Sequence, residues 1–393
     1  ANPRRTNNPA DRASIRNERS GVFGEAMLGN WQLAVDAGWR EKSLDTVRPT
    51  SVYGYDVDAQ QLALKARHVS RWSGLQNSLV MGHDRGEWDR DVRGTFGSSV
   101  AEQTSRGWYL KDDLTLASGK RFSAGLRTEK LDKSVDDGFA PFSLAERETA
   151  WELGLSQPLS ASTTAWGRIG NSFRLANVDE FSFTNPAVMI RPQTSRDLES
   201  GARWSGGAFK LEARLYRSAI TDEIGYDPNA VGPSSPFGFN GANINFDATR
   251  RVGAEVDGDW KVTPRLNLGA RLALRRSTFR GGPYGGNDVP LAPRQTLALR
   301  ADWAPVSGHR LSGGVNFVGS QHPDFANVCR MPSYTTADAR YAVQVKNMEW
   351  SLGVNNLFDR DYYTQAFGCA GGQTTAIYPE AGRTFTAALR VSF

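Results

Sequence analysis

The sequence has no long apolar run. Its 393 residues are 39% hydrophobic and the mean hydropathy is −0.48. No stretch approaches the roughly 18 consecutive apolar residues that a transmembrane helix needs. If the chain enters a membrane, it must therefore do so with strands.

Residues that supply chemistry are also scarce, with four histidines and two cysteines. His83, Asp84 and Glu87 are the only grouping that suggests a metal or acid–base cluster, as in barrel-embedded hydrolases, and no nucleophile motif accompanies them. There is no Gly-rich phosphate loop, and the basic residues alternate along strands rather than forming a nucleic-acid patch. We expect a protein that is not an enzyme, with no cofactor, no metal and no nucleic-acid partner.

What the sequence does contain is a repeated two-residue alternation. In residues 265–275 one side of an extended strand is apolar and the other is largely cationic; the apolar side is Leu266, Leu268, Ala270, Leu272 and Leu274. The same period recurs in residues 62–67, 209–216, 296–303, 348–355 and 383–393. This pattern predicts an all-β fold, an antiparallel transmembrane β-barrel with lipid outside and a wet lumen. A soluble β-sandwich or propeller is the alternative.

Connections of two lengths alternate along the chain. Short turns are predicted at 28–31, 72–75, 117–120, 157–161, 205–208, 261–265, 305–309 and 345–348. Long loops are predicted at 46–55, 88–104, 133–145, 177–193, 224–246, 281–293, 320–332 and 359–380. Bacterial barrels place tight turns in the periplasm and long loops outside. We count about 17 strands. The first lies near residues 19–28 and runs from the outside towards the periplasm. Residues 1–17 are predicted to form a polar arm, and residues 18–393 the barrel.

Several segments, in the family's order along the chain, resemble TonB-dependent outer-membrane receptors. The first, residues 166–180, contains Phe173, Arg174, Asn177 and Glu180, and residues 332–340, with the next segment, resemble the family's penultimate strands. Residues 355–363, with Asn355, Asn356, Leu357, Phe358, Asp359, Tyr362 and Tyr363, are the most specific match, and residues 379–385 lead into a closing strand that ends on Phe393. For this motif we expect a structural role, with Asn and Asp side chains satisfying backbone groups and tyrosines in the aromatic girdle.

The resemblance implies energy-coupled import of a ferric siderophore, cobalamin or a similar nutrient across the bacterial outer membrane. Family members have a 22-stranded barrel, an internal plug domain and a segment that binds the TonB complex. This sequence matches the later part of such a barrel without plug or coupling segment. We expect a monomer in outer-membrane lipid, with a small chelate as ligand; a passive porin and a barrel-embedded hydrolase are the alternatives.

Charge and loop aromatics indicate where such a ligand would bind. The net charge of +5 and the pI of about 9.2 favour an anionic ligand, although arginines inside barrels also pair with carboxylates. Loop aromatics can close over a chelate or pack against one another. The candidate ligand residues are Tyr226, Phe237, Phe239, Tyr284, His322, Arg271, Arg275 and Arg300, with Phe246 and Phe325 in the same loops.

The two cysteines, Cys329 and Cys369, fall in consecutive long loops. In an oxidising compartment this pair predicts one disulfide that ties two outer loops together. Metal ligation would need more donors, and the nearest is the single imidazole of His322.

Overall fold

The computed structural model describes residues 8–95, 97–138, 141–181, 184, 189–232, 238 and 240–392. Seventeen strands form one antiparallel sheet, which confirms the predicted fold class and strand number. In chain order the elements are β1 (Arg12–Leu28), β2 (Trp31–Arg48), β3 (Ser51–Trp72), β4 (Leu75–Gly94), β5 (Ser99–Thr115), β6 (Arg121–Asp136), β7 (Phe142–Pro158), β8 (Thr163–Arg174), α1 (Val178–Phe181), β9 (Gln193–Gly206), β10 (Phe209–Thr221), β11 (Ile224–Asp227), β12 (Ala242–Asn245), β13 (Thr249–Thr263), β14 (Leu266–Phe279), β15 (Gln295–Trp303), β16 (His309–Val318), β17 (Tyr334–Val345), β18 (Met348–Asn355), β19 (Tyr363–Ala370), β20 (Gln373–Pro379) and β21 (Thr384–Val391).

Each strand of the large sheet pairs with the next one along the chain. The exceptions are β10, which pairs with β13, and β18, which pairs with β21. The skipped strands form two separate hairpins, β11–β12 and β19–β20. Among the described strands, β1 pairs only with β2 and β21 only with β18, so both outer edges of this sheet are unpaired.

The two faces of the sheet differ as the alternation predicts. In β14, Leu272 lies directly between Val256 of β13 and Leu297 of β15, so apolar side chains continue from strand to strand on one face. Many of these side chains are exposed, Leu215 by 62%. An apolar face of this extent is typical of a surface that contacts lipid. We call it the outward face and the opposite one the lumen face.

The lumen face is charged, and its charges are largely paired. Arg168 lies between two carboxylates, with its guanidinium 3.1 Å from Glu152 and 3.1 Å from Glu199. Arg127 Nη1 lies 2.7 Å from Asp84 in the same way. Cross-strand pairs of opposite charge stabilise adjacent strands, and they neutralise much of the cationic wall that the sequence indicates.

The first half of the sheet differs from the sequence prediction. The predicted loops at 46–55, 88–104 and 133–145 are mostly strand, since β2 continues to Arg48 and β3 starts at Ser51. Residues 12–17, predicted to lie in the polar arm, are the start of β1 and pair with 42–47 of β2. The physical reason is that the outward face of these strand ends is largely polar, so the apolar alternation stops although backbone pairing continues there.

Burial is concentrated at the long-loop end of the sheet. One cluster contains Phe279, Val289 and Phe325, with Phe246 packed against it. Another contains Ala176, Phe181 and Ile190 and covers the inner side of β6 and β7. In the part of the chain that the structure describes, no helix is long and apolar enough to cross a membrane.

Candidate functional site

A cavity of about 510 Å³ lies at the long-loop end, among the ends of β13 and β14, the β11–β12 hairpin and the β19–β20 hairpin. Ligand sites for small molecules commonly have volumes of about 300–1,000 Å³. Its aromatic wall is Tyr226, Phe246, Phe325 and Phe367. Its cations are Arg251 and Arg275.

Edge-on ring contacts fix the aromatic wall. The ring of Tyr226 meets that of Phe367 at 5.9 Å, and the ring of Phe246 meets that of Phe325 at 5.1 Å. These separations and tilts are the favoured geometry for aromatic pairs. Tyr284 stacks on the far side of Phe325 at 5.5 Å, so it supports the wall from behind.

The two arginines of the cavity differ in their partners. Arg251 forms an ion pair with Glu223, which is buried and also accepts a hydrogen bond from the Thr249 hydroxyl. Arg275 donates from Nε to the Pro293 carbonyl oxygen at 2.9 Å. Its terminal nitrogens have no ion pair or hydrogen bond to any described residue. Arg275 is therefore available to an anion in the cavity.

Near Arg275, the Ser277 hydroxyl also lines the cavity. It is buried and has no hydrogen-bond partner among the described residues. Buried polar atoms are normally satisfied, and an exception calls for an explanation. A ligand acceptor or donor in the cavity would satisfy this one.

The loop that follows β14 is braced by a second set of polar contacts. Arg294 Nε donates to Asp288 at 2.9 Å, and this hydrogen bond, together with the carboxylate charge, raises the pKa of Arg294. The Asn327 side chain joins the neighbouring loop to the backbone of Asp288 in both directions. Two loops that line the cavity are thus joined by side-chain hydrogen bonds.

Cys329 and Cys369 form a disulfide with their Cα atoms 5.6 Å apart, and it joins the loop after β16 to β19. The carboxylate of Asp324 lies beside the sulfurs and accepts hydrogen bonds from the backbone of Val328 and Cys329. Two sulfurs bonded to each other are not thiolates, which are the form that binds metals. Asp324 therefore braces the loop in this state. His322 contacts the Cys329 carbonyl oxygen through Nδ1 at 2.7 Å.

Of the ligand residues suggested by the sequence, the structure brings Tyr226 and Arg275 together at the cavity, with Phe246 and Phe325. Arg271 and Arg300 lie elsewhere on the lumen face, paired with Asp257 and with Asp338 at 3.2 Å. Phe237 and Phe239 lie outside the described residues. Sequence reasoning missed Arg251 and Phe367 as ligand residues. Phe367 stands two residues before Cys369, which was the available signal.

The residues of the 355–363 motif form a tight bend after β18. Asn356 and Asp359 have φ of 50° and 52°, a left-handed conformation that Asn and Asp tolerate better than most residues. Asn356 Nδ2 donates to the Arg360 carbonyl oxygen at 2.9 Å and its Oδ1 accepts from the Arg360 amide at 2.8 Å. Asp359 Oδ1 accepts from the Arg383 amide at 2.9 Å. The bend thereby joins β18 to the segment that enters β21.

The other motif residues have these positions. Asn355 lies opposite Thr384 of β21, and the Leu357 amide donates a hydrogen bond to the Ala337 carbonyl oxygen. The Phe358 side chain is 78% exposed. Tyr363 is the first residue of β19 and lies opposite Pro379. Tyr362 packs on Tyr334 with ring centroids 4.6 Å apart; burial, aided by Glu380, raises the pKa of Tyr362. Phe393 lies outside the described residues.

The 166–180 motif ends in a helix cap. Asn177 Oδ1 accepts from the Glu180 amide, and Glu180 Oε2 accepts from the Asn177 amide, both at 3.0 Å. This reciprocal pair is a capping box at the start of α1. Arg174 forms an ion pair with Glu180, and Phe173 lies opposite Thr194 in β8 and β9.

The residues of the hydrolase alternative do not converge. His83 is on the outward face, where its ring packs on Trp108 at 4.2 Å. Asp84, the next residue, is on the lumen face and pairs with Arg127. Glu87 pairs with Arg85. Because adjacent residues of a strand point to opposite faces, these side chains form no common site.

Comparison with known proteins gives a consistent result. The family model for the TonB dependent receptor-like beta-barrel matches residues 2–357. The Catecholate siderophore receptor Fiu of Escherichia coli K12 is 25% identical over 204 residues, 49% of this chain and 25% of the relative. The Ferrioxamine receptor of Yersinia enterocolitica is 25% identical over 210 residues, 50% of this chain and 28% of the relative. The chain spans about a quarter of the length of these curated relatives.

Solved structures show the same fold. The ferric yersiniabactin uptake receptor FyuA from Yersinia pestis superposes with a TM-score of 0.75 at 17% identity, over 98% of this chain and 63% of that one. The closed form of the Fiu receptor from E. coli K12 gives a TM-score of 0.78 at 14% identity, over 98% and 65%. The matched segment covers most of the chain, and the sheet, faces and turns agree with it. The chain belongs to the TonB-dependent receptor family, whose β-barrels lie in the outer membrane of Gram-negative bacteria.

Proposed function

We propose that this chain is the ligand-binding part of the barrel wall of a receptor for energy-coupled import of an anionic iron chelate. The observation that carries the proposal is the cavity, where Arg275 has no anionic partner among the described residues and lies beside the aromatic wall. Apolar and aromatic lining with a few convergent polar groups is the usual composition of a small-molecule site. The names of the siderophore receptors similar to this chain support the same ligand class.

Energy coupling would come through the TonB complex and a plug domain, as in other members of the family. The packed clusters at the long-loop end of the lumen face support a gated rather than a passive path. The bound chelate is cargo, and the receptor itself has no catalytic step in this proposal.

Growth on a panel of iron chelates tests the proposal. A strain that lacks the full-length receptor, supplied with it on a plasmid under iron limitation, should grow on at least one chelate only when TonB is present. Arg275→Gln should weaken uptake of that chelate by about tenfold or more, as expected for the loss of one charge-assisted contact. Arg271→Gln, at an arginine already paired with Asp257, is the matched control. Growth on no chelate, or equal loss in both variants, would overturn the proposal.

A further inference from the structure

The disulfide between Cys329 and Cys369 lies beside a third donor of the kind that binds metals. The carboxylate of Asp324 and the two sulfurs all lie within 4.8 Å of one another, and within the described residues no other group of His, Cys, Asp or Glu donors has this spacing. Thiolates with a carboxylate are ligands suited to a thiophilic divalent ion such as Zn²⁺. The oxidised pair lacks one condition for binding such an ion, because its sulfurs are bonded to each other.

The backbone spacing of the two cysteines suits a shared metal ion once the sulfurs are separate. The Cα atoms of Cys329 and Cys369 are 5.6 Å apart. In a tetrahedral site with Zn–S bonds of about 2.3 Å, two sulfurs are about 3.8 Å apart. Rotation of the cysteine side chains gives this separation, so the backbone can stay where it is.

The loop at 320–332 is held in place by contacts other than the disulfide. The Asn327 side chain bonds to the backbone of Asp288 in both directions, at 2.7 Å and 3.0 Å. The Asn287 side chain donates to the Phe325 carbonyl oxygen at 2.9 Å. Reduction of the disulfide therefore separates two sulfurs without releasing this loop, and a metal ion would meet donors that are already ordered.

The hairpin that carries the second cysteine is also joined to this loop independently. Cys369 of β19 lies opposite Thr374 of β20. The Thr374 hydroxyl donates to the carbonyl oxygen of Arg330, the residue after Cys329, at 3.1 Å. This hydrogen bond keeps the two cysteines close to each other in the reduced state.

Asp324 is positioned for a metal ion by its own hydrogen bonds. Its Oδ2 accepts from the Val328 amide and its Oδ1 from the Cys329 amide, both at 2.9 Å. A carboxylate oxygen has a second lone pair, so each oxygen can still accept a further partner. Hydrogen bonds of this kind orient ligating carboxylates in metal sites.

A reductant reaches the disulfide from the cavity. Cys369 and Asp324 line the cavity, whereas Cys329 is 0% exposed. A thiolate that enters the cavity therefore attacks the Cys369 sulfur, the S–S bond breaks, and the Cys329 sulfur leaves as a thiolate. A second thiolate attacks the reductant's sulfur in the mixed disulfide and releases the Cys369 thiolate. The products are two cysteine thiolates and the disulfide of the reductant.

We propose that the thiol-reduced receptor binds one thiophilic divalent metal ion through Cys329, Cys369 and Asp324. These residues supply three ligands, and the cavity leaves room for water as the fourth. His322 is not in this donor set, since its Nδ1 contacts the Cys329 carbonyl oxygen. The disulfide and the metal ion exclude each other, so the redox state of one cysteine pair decides whether the cavity wall binds metal. This binding does not depend on chelate import, and the two proposals can fail separately.

Calorimetric titration of the full-length receptor in detergent with Zn²⁺ alone tests the proposal. The receptor is measured oxidised, and again after reduction with dithiothreitol and anaerobic removal of the reagent. The reduced receptor should bind one more ion than the oxidised receptor, and C329S/C369S should not bind it. Asp324→Asn should weaken its binding by about tenfold or more, since a charged ligand is lost. No additional ion on reduction, or wild-type affinity in Asp324→Asn, would overturn the proposal.

Alkylation with iodoacetamide, mapped by peptide mass spectrometry, locates the ion. Zn²⁺ should protect Cys329 and Cys369 of the reduced receptor, and protection of Asp324→Asn should need about tenfold more Zn²⁺. Asp227→Asn is the matched control, because this carboxylate accepts a loop hydrogen bond but is outside the donor set. Alkylation that Zn²⁺ does not slow, or an equal loss in Asp227→Asn, would contradict the site.

Reoxidation separates a lost ligand from a disturbed loop. The metal-free Asp324→Asn receptor should re-form the disulfide at the wild-type rate, which shows that its loop still holds the sulfurs together. If it does not, Cys369→Ser replaces it, because this variant keeps the Asp324 hydrogen bonds and should still bind Zn²⁺ at least about tenfold more weakly than the reduced wild type. Wild-type Zn²⁺ affinity in Cys369→Ser would overturn the proposal.

Discussion

A buried ion pair at the long-loop end gives the sharpest stability prediction. Lys133 of β6 donates from Nζ to Glu146 of β7 at 2.6 Å and to the Ala176 carbonyl oxygen at 2.8 Å. The ammonium also lies 4.1 Å from the centre of the Phe181 ring. The Lys133 side chain is 0% exposed and that of Glu146 is 7% exposed. The pair therefore anchors the segment containing α1 onto the sheet.

The expected magnitude follows from this geometry. With an effective dielectric constant of about 20, two unit charges 2.6 Å apart attract by about 6 kcal/mol, and desolvation of both ions offsets much of that. Breaking such a pair is costly, because one buried charge then has no partner. We expect Lys133→Met to destabilise the α1 segment by about 3 kcal/mol. The double variant K133M/E146L should lie within about 1 kcal/mol of the wild type, since it leaves no buried charge.

Hydrogen exchange of the amides in residues 176–181 measures this local stability. In Lys133→Met these amides should exchange about a hundredfold faster. Lys130→Met is the matched control, because Lys130 pairs with Asp132 where both side chains are 39% exposed, and its effect should be under about 0.5 kcal/mol. Equal exchange rates in the two single variants, or a double variant as unstable as Lys133→Met, would refute the reasoning.

The same segment connects to the cavity. Asn243 of β12 donates to the Glu180 carbonyl oxygen at 2.8 Å, and the β11–β12 hairpin contains Tyr226. An unpaired Glu146 charge beside this segment therefore loosens one wall of the cavity. We expect Lys133→Met to weaken chelate uptake as well as local stability, while K133M/E146L, which leaves no buried charge, restores both.

Three further predictions concern the sheet and its bends. Asn356→Ala should lower the free energy of unfolding in urea by about 2 kcal/mol, since it removes the side-chain hydrogen bonds of a 7% exposed residue at positive φ. Asn356→Gly keeps the conformation but removes the same bonds, and a negligible loss in that variant would show that the bonds contribute little. Asp89→Asn should stabilise by about 0.5 kcal/mol, because carboxylates lie opposite it on both sides; a destabilised variant argues against that repulsion. Leu272→Arg should cost about 2–4 kcal/mol in lipid bilayers, whereas Ala273→Arg on the lumen face should be tolerated; similar costs would count against the assignment of faces.

The fold was predictable where one strand face is apolar. Leu272 and Leu274 alternate with Arg271 and Arg275, so β14 could be identified with both its faces. The outer ends of β2 and β3 could not, because Glu41 and Asp58 are outward-facing polar residues beyond the apolar band, and the backbone pairing of their strands continues past them.

The candidate site was predictable only in part. Loop aromatics and lumen arginines indicated Tyr226 and Arg275, which do meet at the cavity. Phe367 reaches it because a disulfide and a separate hairpin bring β19 over β13 and β14. Arg271 and Arg300 share the face of Arg275 but have carboxylate partners that come from other strands. Such long-range contacts leave no local pattern in the sequence.

Nitroxide scanning of residues 270–275 of β14, in the full-length receptor in lipid bilayers, tests the two-faced sheet most directly. The described chain has no free cysteine, so one introduced cysteine per variant reports its own position. Collision with oxygen should peak at 270, 272 and 274, and collision with a water-soluble nickel chelate should peak at 271, 273 and 275. If positions 270, 272 and 274 are protected from oxygen, or if collisions with both reagents peak at the same positions, the leucine rows face a dry interior and the assignment of a lipid-facing side is contradicted.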